Sequence, residues 1–137
     1  MSKNAADVLQ EVPLFAGLSK SQLKRVAKEA REELYSPGQD IVVEGQAGGP
    51  FFCITEGMAE LSIDGRKIRD LPAGSYFGEM ALLEGSKRTA TIRAETHVKA
   101  LAISSWNFLA ILEESWDITR QILAELSRRV RELETVS

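Results

Sequence analysis

Between Glu33 and Ile103 the apolar residues come in short runs, and turn-forming residues cut every run off. Leu34-Tyr35, Ile41-Val42-Val43, Phe51-Phe52-Cys53-Ile54, Met58 to Ile63, Lys67 to Leu71, Thr89 to Ala94 and Val98 to Ile103 have the length and the residue types of strands, not of helices. Pro37-Gly38, Gly45, Gly48-Gly49-Pro50, Gly57, Asp64-Gly65 and Pro72-Ala73-Gly74 separate them. Asp64-Gly65 between alternating runs is a hairpin signal, because tight hairpin turns need positive φ. About eight short strands at such close spacing predict an antiparallel jelly-roll barrel, a double sheet closed on itself.

Helical patterns flank this region on both sides, so the predicted class is α+β. Val8 and Leu9 can start a short helical turn. Val12, Leu14, Phe15 and Leu18 form an apolar cluster broken by Pro13 and Gly17. Ser19-Lys20-Ser21-Gln22 fits a capping box, and Leu23, Val26, Ala27 and Ala30 follow at helical spacing. This N-terminal helix is expected to end near Arg31. At the other end, Ser104 or Ser105 can cap a helix carrying Phe108, Leu109, Ile111 and Leu112. Ser115 can cap a last helix running to about Glu134, with Asp117 favourable in its first turn. The expected organisation is one domain over residues 1–137. It has an N-terminal helical part at 5–31, a jelly roll at 33–103 and C-terminal helices at 105–134.

One stretch, Gly74 to Ala94, interrupts the strand pattern. Gly78 permits a backbone conformation or a close approach that a Cβ would block. Met80, Ala81, Leu82 and Leu83 favour a short helix, whose first N–H groups lack intrahelical acceptors and suit an anion. Arg88 follows, with Thr89 beside it. A guanidinium fork matches phosphate oxygens, and a neighbouring hydroxyl can donate as well. The alternative for Arg88 is a surface arginine pairing with Glu84 or Glu79. Glu79 stands at the other end of the segment. A carboxylate beside a phosphate site is odd unless it accepts a hydrogen bond from a sugar hydroxyl. The alternative is a solvated carboxylate favoured by the helix dipole. Together these residues read as a site for a nucleotide monophosphate, held at ribose and phosphate.

The run Phe77-Gly78-Glu79-Met80-Ala81-Leu82-Leu83, followed by Arg88-Thr89-Ala90-Thr91, resembles the phosphate-binding cassette of cyclic nucleotide-binding domains. That family includes protein kinase regulatory subunits, cyclic nucleotide-gated channels and catabolite activator proteins. The resemblance places the cassette at 77–91, as a short helix inside the barrel. It implies that Glu79 binds the ribose 2′-hydroxyl and Arg88 the cyclic phosphate. Backbone groups of Gly78, Met80, Ala81 and Leu82, with Thr89 and Ala90 beside the arginine, would complete the site. Leu14-Phe15-Ala16-Gly17-Leu18 and the turns at Pro37-Gly38, Glu44-Gly45 and Gly57 also match family positions. Many eukaryotic members have Pro before the arginine; Lys87 stands there in this chain, a departure that touches loop stiffness more than ligand chemistry. Thr89 leaves two ligands open. Threonine at this place goes with cGMP in the family, through the guanine amino group. Its hydroxyl can equally donate to the phosphate, as serine does in bacterial members that prefer cAMP. The expected ligand is cAMP ahead of cGMP.

In the family the last helix lies over the ligand as a lid or pairs two subunits. Here Leu123, Leu126, Val130 and Leu133 follow 3-4-3 spacing, and Trp116 shares their register one heptad earlier. Ile118 and Ile122 widen the stripe, so one side can touch the barrel and the other a partner. A homodimer seam is expected, with packing on its own domain as the plainer alternative. Arg128 or Arg129 can cap the purine or simply stay solvated.

Composition removes other classes. A net charge of −3 lacks the basic footprint of a nucleic-acid binder. No apolar run approaches the roughly 18 residues of a membrane span, and the N-terminus has no signal-peptide core. The single cysteine, Cys53, allows no internal disulfide and fits a reducing cytoplasm; it is expected in the core. One histidine, His97, expected at the surface, leaves little for a metal site or a nucleophile–base pair. A cupin-type enzyme shares the jelly roll but needs two or three metal-ligating histidines. A non-enzymatic regulatory module without a further cofactor is therefore expected, acting on an unknown downstream protein. The alternative is a degenerate jelly roll that binds only protein, and an intact Glu79 and Arg88 argue against it. Family transcription factors continue into a helix-turn-helix and channels carry a pore; the chain shows neither. It is a free-standing module or a piece of something longer. The start at Met1 and the end soon after Glu134 favour a complete small protein.

Overall fold

Local turn chemistry sets the hairpins. In the computed structural model, which describes residues 4–78 and 87–136, Asp64 and Gly65 both take positive φ, 52° and 78°. They join β4 (Met58–Ile63) to β5 (Arg66–Pro72) with Ile63 opposite Arg66, the two-residue turn that matches strand twist. The other strands are β1 (Arg31–Tyr35), β2 (Asp40–Val42), β3 (Phe51–Glu56), β6 (Tyr76–Phe77), β7 (Thr91–Ala94) and β8 (Val98–Ile103).

These eight strands form two four-stranded antiparallel sheets, in the orders β1-β8-β3-β6 and β2-β7-β4-β5. The jelly-roll class is as expected, but among the described residues the sheets do not close into one barrel. The edge strands β2 and β6 span three and two residues, too few to carry hydrogen bonding from one sheet into the other. β6 itself is an addition: Tyr76 and Phe77 become a strand because β3 offers them Cys53 and Phe52. The expected cassette helix, Met80 to Leu83, lies outside the described residues.

β3 explains its own unpatterned sequence. Phe51 and Cys53 face a core built with the helices, while Phe52 and Ile54 face the core between the sheets. Buried on both sides, the strand needs no polar alternation. The inter-sheet core adds Val42, Ala59, Leu71, Ile92, Ala94, Val98, Ala100 and Ala102. In the helical core Phe15 meets Phe51 and Phe108 edge-on, each at 5.8 Å between centroids.

The N-terminal part holds two α-helices and a 3₁₀ turn where one main helix was expected: α1 (Ala5–Gln10), the turn Pro13–Phe15, and α2 (Lys20–Ala27). The Ser19 capping box is present, with Ser19 Oγ accepting from Gln22 N at 3.2 Å and Gln22 Oε1 accepting from Ser19 N at 2.8 Å. α2 stops at Ala27, short of Arg31, because Arg31 already pairs with Ala102 in β1.

Two helices close the chain, α3 (Ser105–Glu114), capped by Ser104, and α4 (Trp116–Val136). Ser115 between them is extended. Its hydroxyl accepts from Ile118 N at 3.3 Å, and Thr119 Oγ1 donates to Leu112 O at 2.8 Å. That bond satisfies a carbonyl which the break at Ser115 would otherwise orphan. On α4, Ile118 and Ile122 are fully buried, and Leu126 packs against the same core. Trp116, Leu123, Val130 and Leu133 are exposed by 66%, 53%, 55% and 75%. The 3-4-3 stripe is thus divided: Leu126 serves its own domain, and its companions face outward. No helix among the described residues is long and apolar enough to cross a membrane.

Candidate functional site

The site is assembled where the two sheets approach each other at one end. Beyond the paired residues of β2 and β7, the two segments continue side by side through one side-chain and several backbone contacts. Glu44 N donates to Thr91 Oγ1 at 3.0 Å, Gly45 N to Arg88 O at 2.9 Å, and Arg88 N to Gln46 O at 2.8 Å; Ala47 and Lys87 form a further bridge. This ribbon fixes the backbone of Arg88 against the loop that leads into β3. The β3–β6 pairing meanwhile brings Gly78, the residue after β6, beside Pro50, the residue before β3.

Arg88 reaches across this junction. Its Nη2 donates to the carbonyl of Pro50. The guanidinium lies in a slot between Gly49 and Gly78. Gly49 has φ +98° and Gly78 φ +86°. A Cβ at Gly49 would stand 2.9 Å from Arg88 Nη2. One at Gly78 would collide with Arg88 Nη1 and lie 2.9 Å from Pro50 O. Both positions favour glycine for φ, and Gly78 requires it for space as well, since its Cβ would meet the Pro50 backbone.

The electrostatics of the slot are unusual for an arginine. Arg88 is half-buried. Burial alone pulls its guanidinium below the ordinary arginine range. Among the described residues no carboxylate pairs with it; its one side-chain partner is a neutral carbonyl. A partly desolvated cation with unused donors favours an anion.

Of the sequence-predicted site residues, Gly78 and Arg88 are brought into contact. Thr89 is exposed and Ala90 half-buried, both on the segment that follows. Glu79, Met80, Ala81 and Leu82 lie outside the described residues. In the sequence, Gly49 and Pro50 read only as a turn. Their signal is a double glycine before proline, which marks close backbone approach as readily as a turn.

The family model for the cyclic nucleotide-binding domain matches residues 32–115, a span that includes the slot. The chain belongs to the cyclic nucleotide-binding domain family. It is 34% identical over 111 residues to the human potassium/sodium hyperpolarization-activated cyclic nucleotide-gated channel 4, a match covering 81% of this chain and 9% of the channel. Among solved structures, it is similar to the N-terminal domain of a transcriptional regulator from Streptomyces coelicolor A3(2). There the TM-score is 0.85 and the identity 29%, over 96% of this chain and 94% of that one. It is also similar to the catabolite activator protein of Thermus thermophilus, with TM-score 0.69 and 28% identity, over 90% of this chain and 60% of that one. The cyclic nucleotide-binding domain thus occupies most of this chain but a small part of the channel.

Proposed function

We propose that this chain is a cytoplasmic, non-enzymatic cyclic nucleotide receptor, with cAMP preferred to cGMP. Arg88 holds the cyclic phosphate, aided by backbone N–H groups of Met80, Ala81 and Leu82 and by Thr89 and Ala90. Glu79 and the backbone of Gly78 hold the ribose. The observation that carries this is the half-buried Arg88, left without a carboxylate partner among the described residues of a cyclic nucleotide-binding domain. The preference for cAMP rests on reading the Thr89 hydroxyl, exposed and without a hydrogen bond among the described residues, as a donor to a phosphate oxygen.

Occupancy is transmitted through α4, whose outward residues Trp116, Leu123, Val130 and Leu133 meet a second copy of the chain, with Leu126 at the inner margin of that seam. Ligand moves the helix only to the extent that it binds one helix position better than the other.

Calorimetric titration with cAMP and cGMP, each repeated on Arg88→Ala, tests the receptor. The expected result is binding of cAMP, weaker binding of cGMP, and loss of both in the variant. No heat from either nucleotide would end the proposal.

A further inference from the structure

We infer, building on Arg88 as the phosphate ligand, that Gly49 and the Pro50 carbonyl are positioning elements that aim the guanidinium before any ligand arrives. Neither residue belongs to the cassette at 77–91. Yet Pro50 O accepts from Nη2, and the absent side chain of Gly49 leaves the space that Nη2 occupies. One N–H is thereby committed, and the fork is held by its fixed planar geometry. The remaining donors keep one direction without the entropy loss of ordering a free arginine on binding.

The clash that a methyl group at residue 49 would create falls on the far end of a flexible side chain, not on backbone. The fold can absorb it by moving the guanidinium. That movement re-aims the fork relative to Pro50 O. Gly49→Ala therefore damages aim more than structure. Gly38 supplies the control: its φ of +87° carries comparable backbone strain, and a Cβ there meets nothing within 4 Å.

The test has one part without ligand and one with it. In the ligand-free wild-type protein, nuclear magnetic resonance should show an Overhauser contact between the Arg88 guanidinium protons and a Gly49 Hα. The Arg88 Nε–H resonance should shift in Gly49→Ala and stay in place in Gly38→Ala. Absence of the contact, or no shift, overturns the inference, and the first reading needs no variant to fold. With cAMP and then cGMP as probes, Gly49→Ala should weaken binding about tenfold, the loss of roughly one charge-assisted hydrogen bond. Gly38→Ala should bind as the wild type does. In an Arg88→Ala background, Gly49→Ala should have no further effect. Equal affinities for Gly49→Ala and Gly38→Ala overturn the inference. A wild-type protein that binds neither nucleotide defeats the receptor proposal instead, while the resonance readings still decide the berth.

Discussion

Arg88 and Arg128 are the same side chain in opposite circumstances. Arg128, on the outer face of α4, donates to Glu125 Oε2 at 3.1 Å and also to Glu132, and these carboxylates raise its pKa. Arg93 on β7 is similar, with Asp40 Oδ1 at 2.9 Å. Among the described residues Arg88 has only the Pro50 carbonyl, and burial lowers its pKa. Arg128 and Arg93 have their counter-charges in the sequence around them or across the sheet. The arginine in the glycine slot is desolvated with its charge uncompensated by the described residues, and that is where an anionic ligand gains most.

The sharpest way to break this contrast is Arg88→Ala. Removing it should weaken nucleotide binding by about 3–5 kcal/mol, by analogy with breaking a buried ion pair, while the melting temperature hardly changes. Affinity within tenfold of the parent would make Arg88 just another surface arginine. Next comes α4, where the inner and outer sides of one helix should part company. Leu126→Glu places a charge against the helical core and should destabilise the fold by about 1–3 kcal/mol, read by denaturant unfolding. Leu123→Glu should leave stability unchanged and convert a dimer to monomers by light scattering. An unchanged mass would remove the dimer.

Burial without a charge partner can be checked a second way at Cys53. Burial, with a smaller contribution from Glu11, pushes its thiol up to about 11. The folded state then holds the thiol proton more tightly than the unfolded chain. Stability is complete below the ordinary thiol pKa of about 8.5 and should decline as pH rises from there toward 11. Cys53→Ala should flatten that part of the profile in melting experiments; an identical slope would remove Cys53 as its source. The smallest effect belongs to Arg128→Ala. Exposed pairs contribute about 0–1 kcal/mol, so stability should change by less than about 1 kcal/mol and nucleotide affinity not at all. A large loss of affinity would instead make α4 part of the binding site.

What was legible in the sequence was local. The Asp64-Gly65 turn and the Ser19-Gln22 box are decided by residues within three positions of each other, and both are present. β6 was not legible, since two residues become a strand only when β3 is beside them. The same limit hid the berth. Pro50 and Arg88 are 38 positions apart, and nothing near Gly49 shows which side chain will need its missing Cβ. Arg88 was visible through its spacing from Gly78 and Glu79, whereas the aim of its guanidinium depends on the whole β3–β6 and β2–β7 pairing. Heptad spacing found the apolar stripe of α4, but a period says nothing about which residues turn inward. Ile118 and Ile122 decide that, and they draw Leu126 with them.

The two buried faces of β3 also bear on how the molecule comes apart. Four consecutive residues, Phe51 to Ile54, alternate between the helical core and the inter-sheet core. The strand is a party wall: a helical layer that lifts away strips one side of it, and a sheet that opens strips the other. Neither space keeps its lining if the other is lost, so heating should dissolve both in a single cooperative transition.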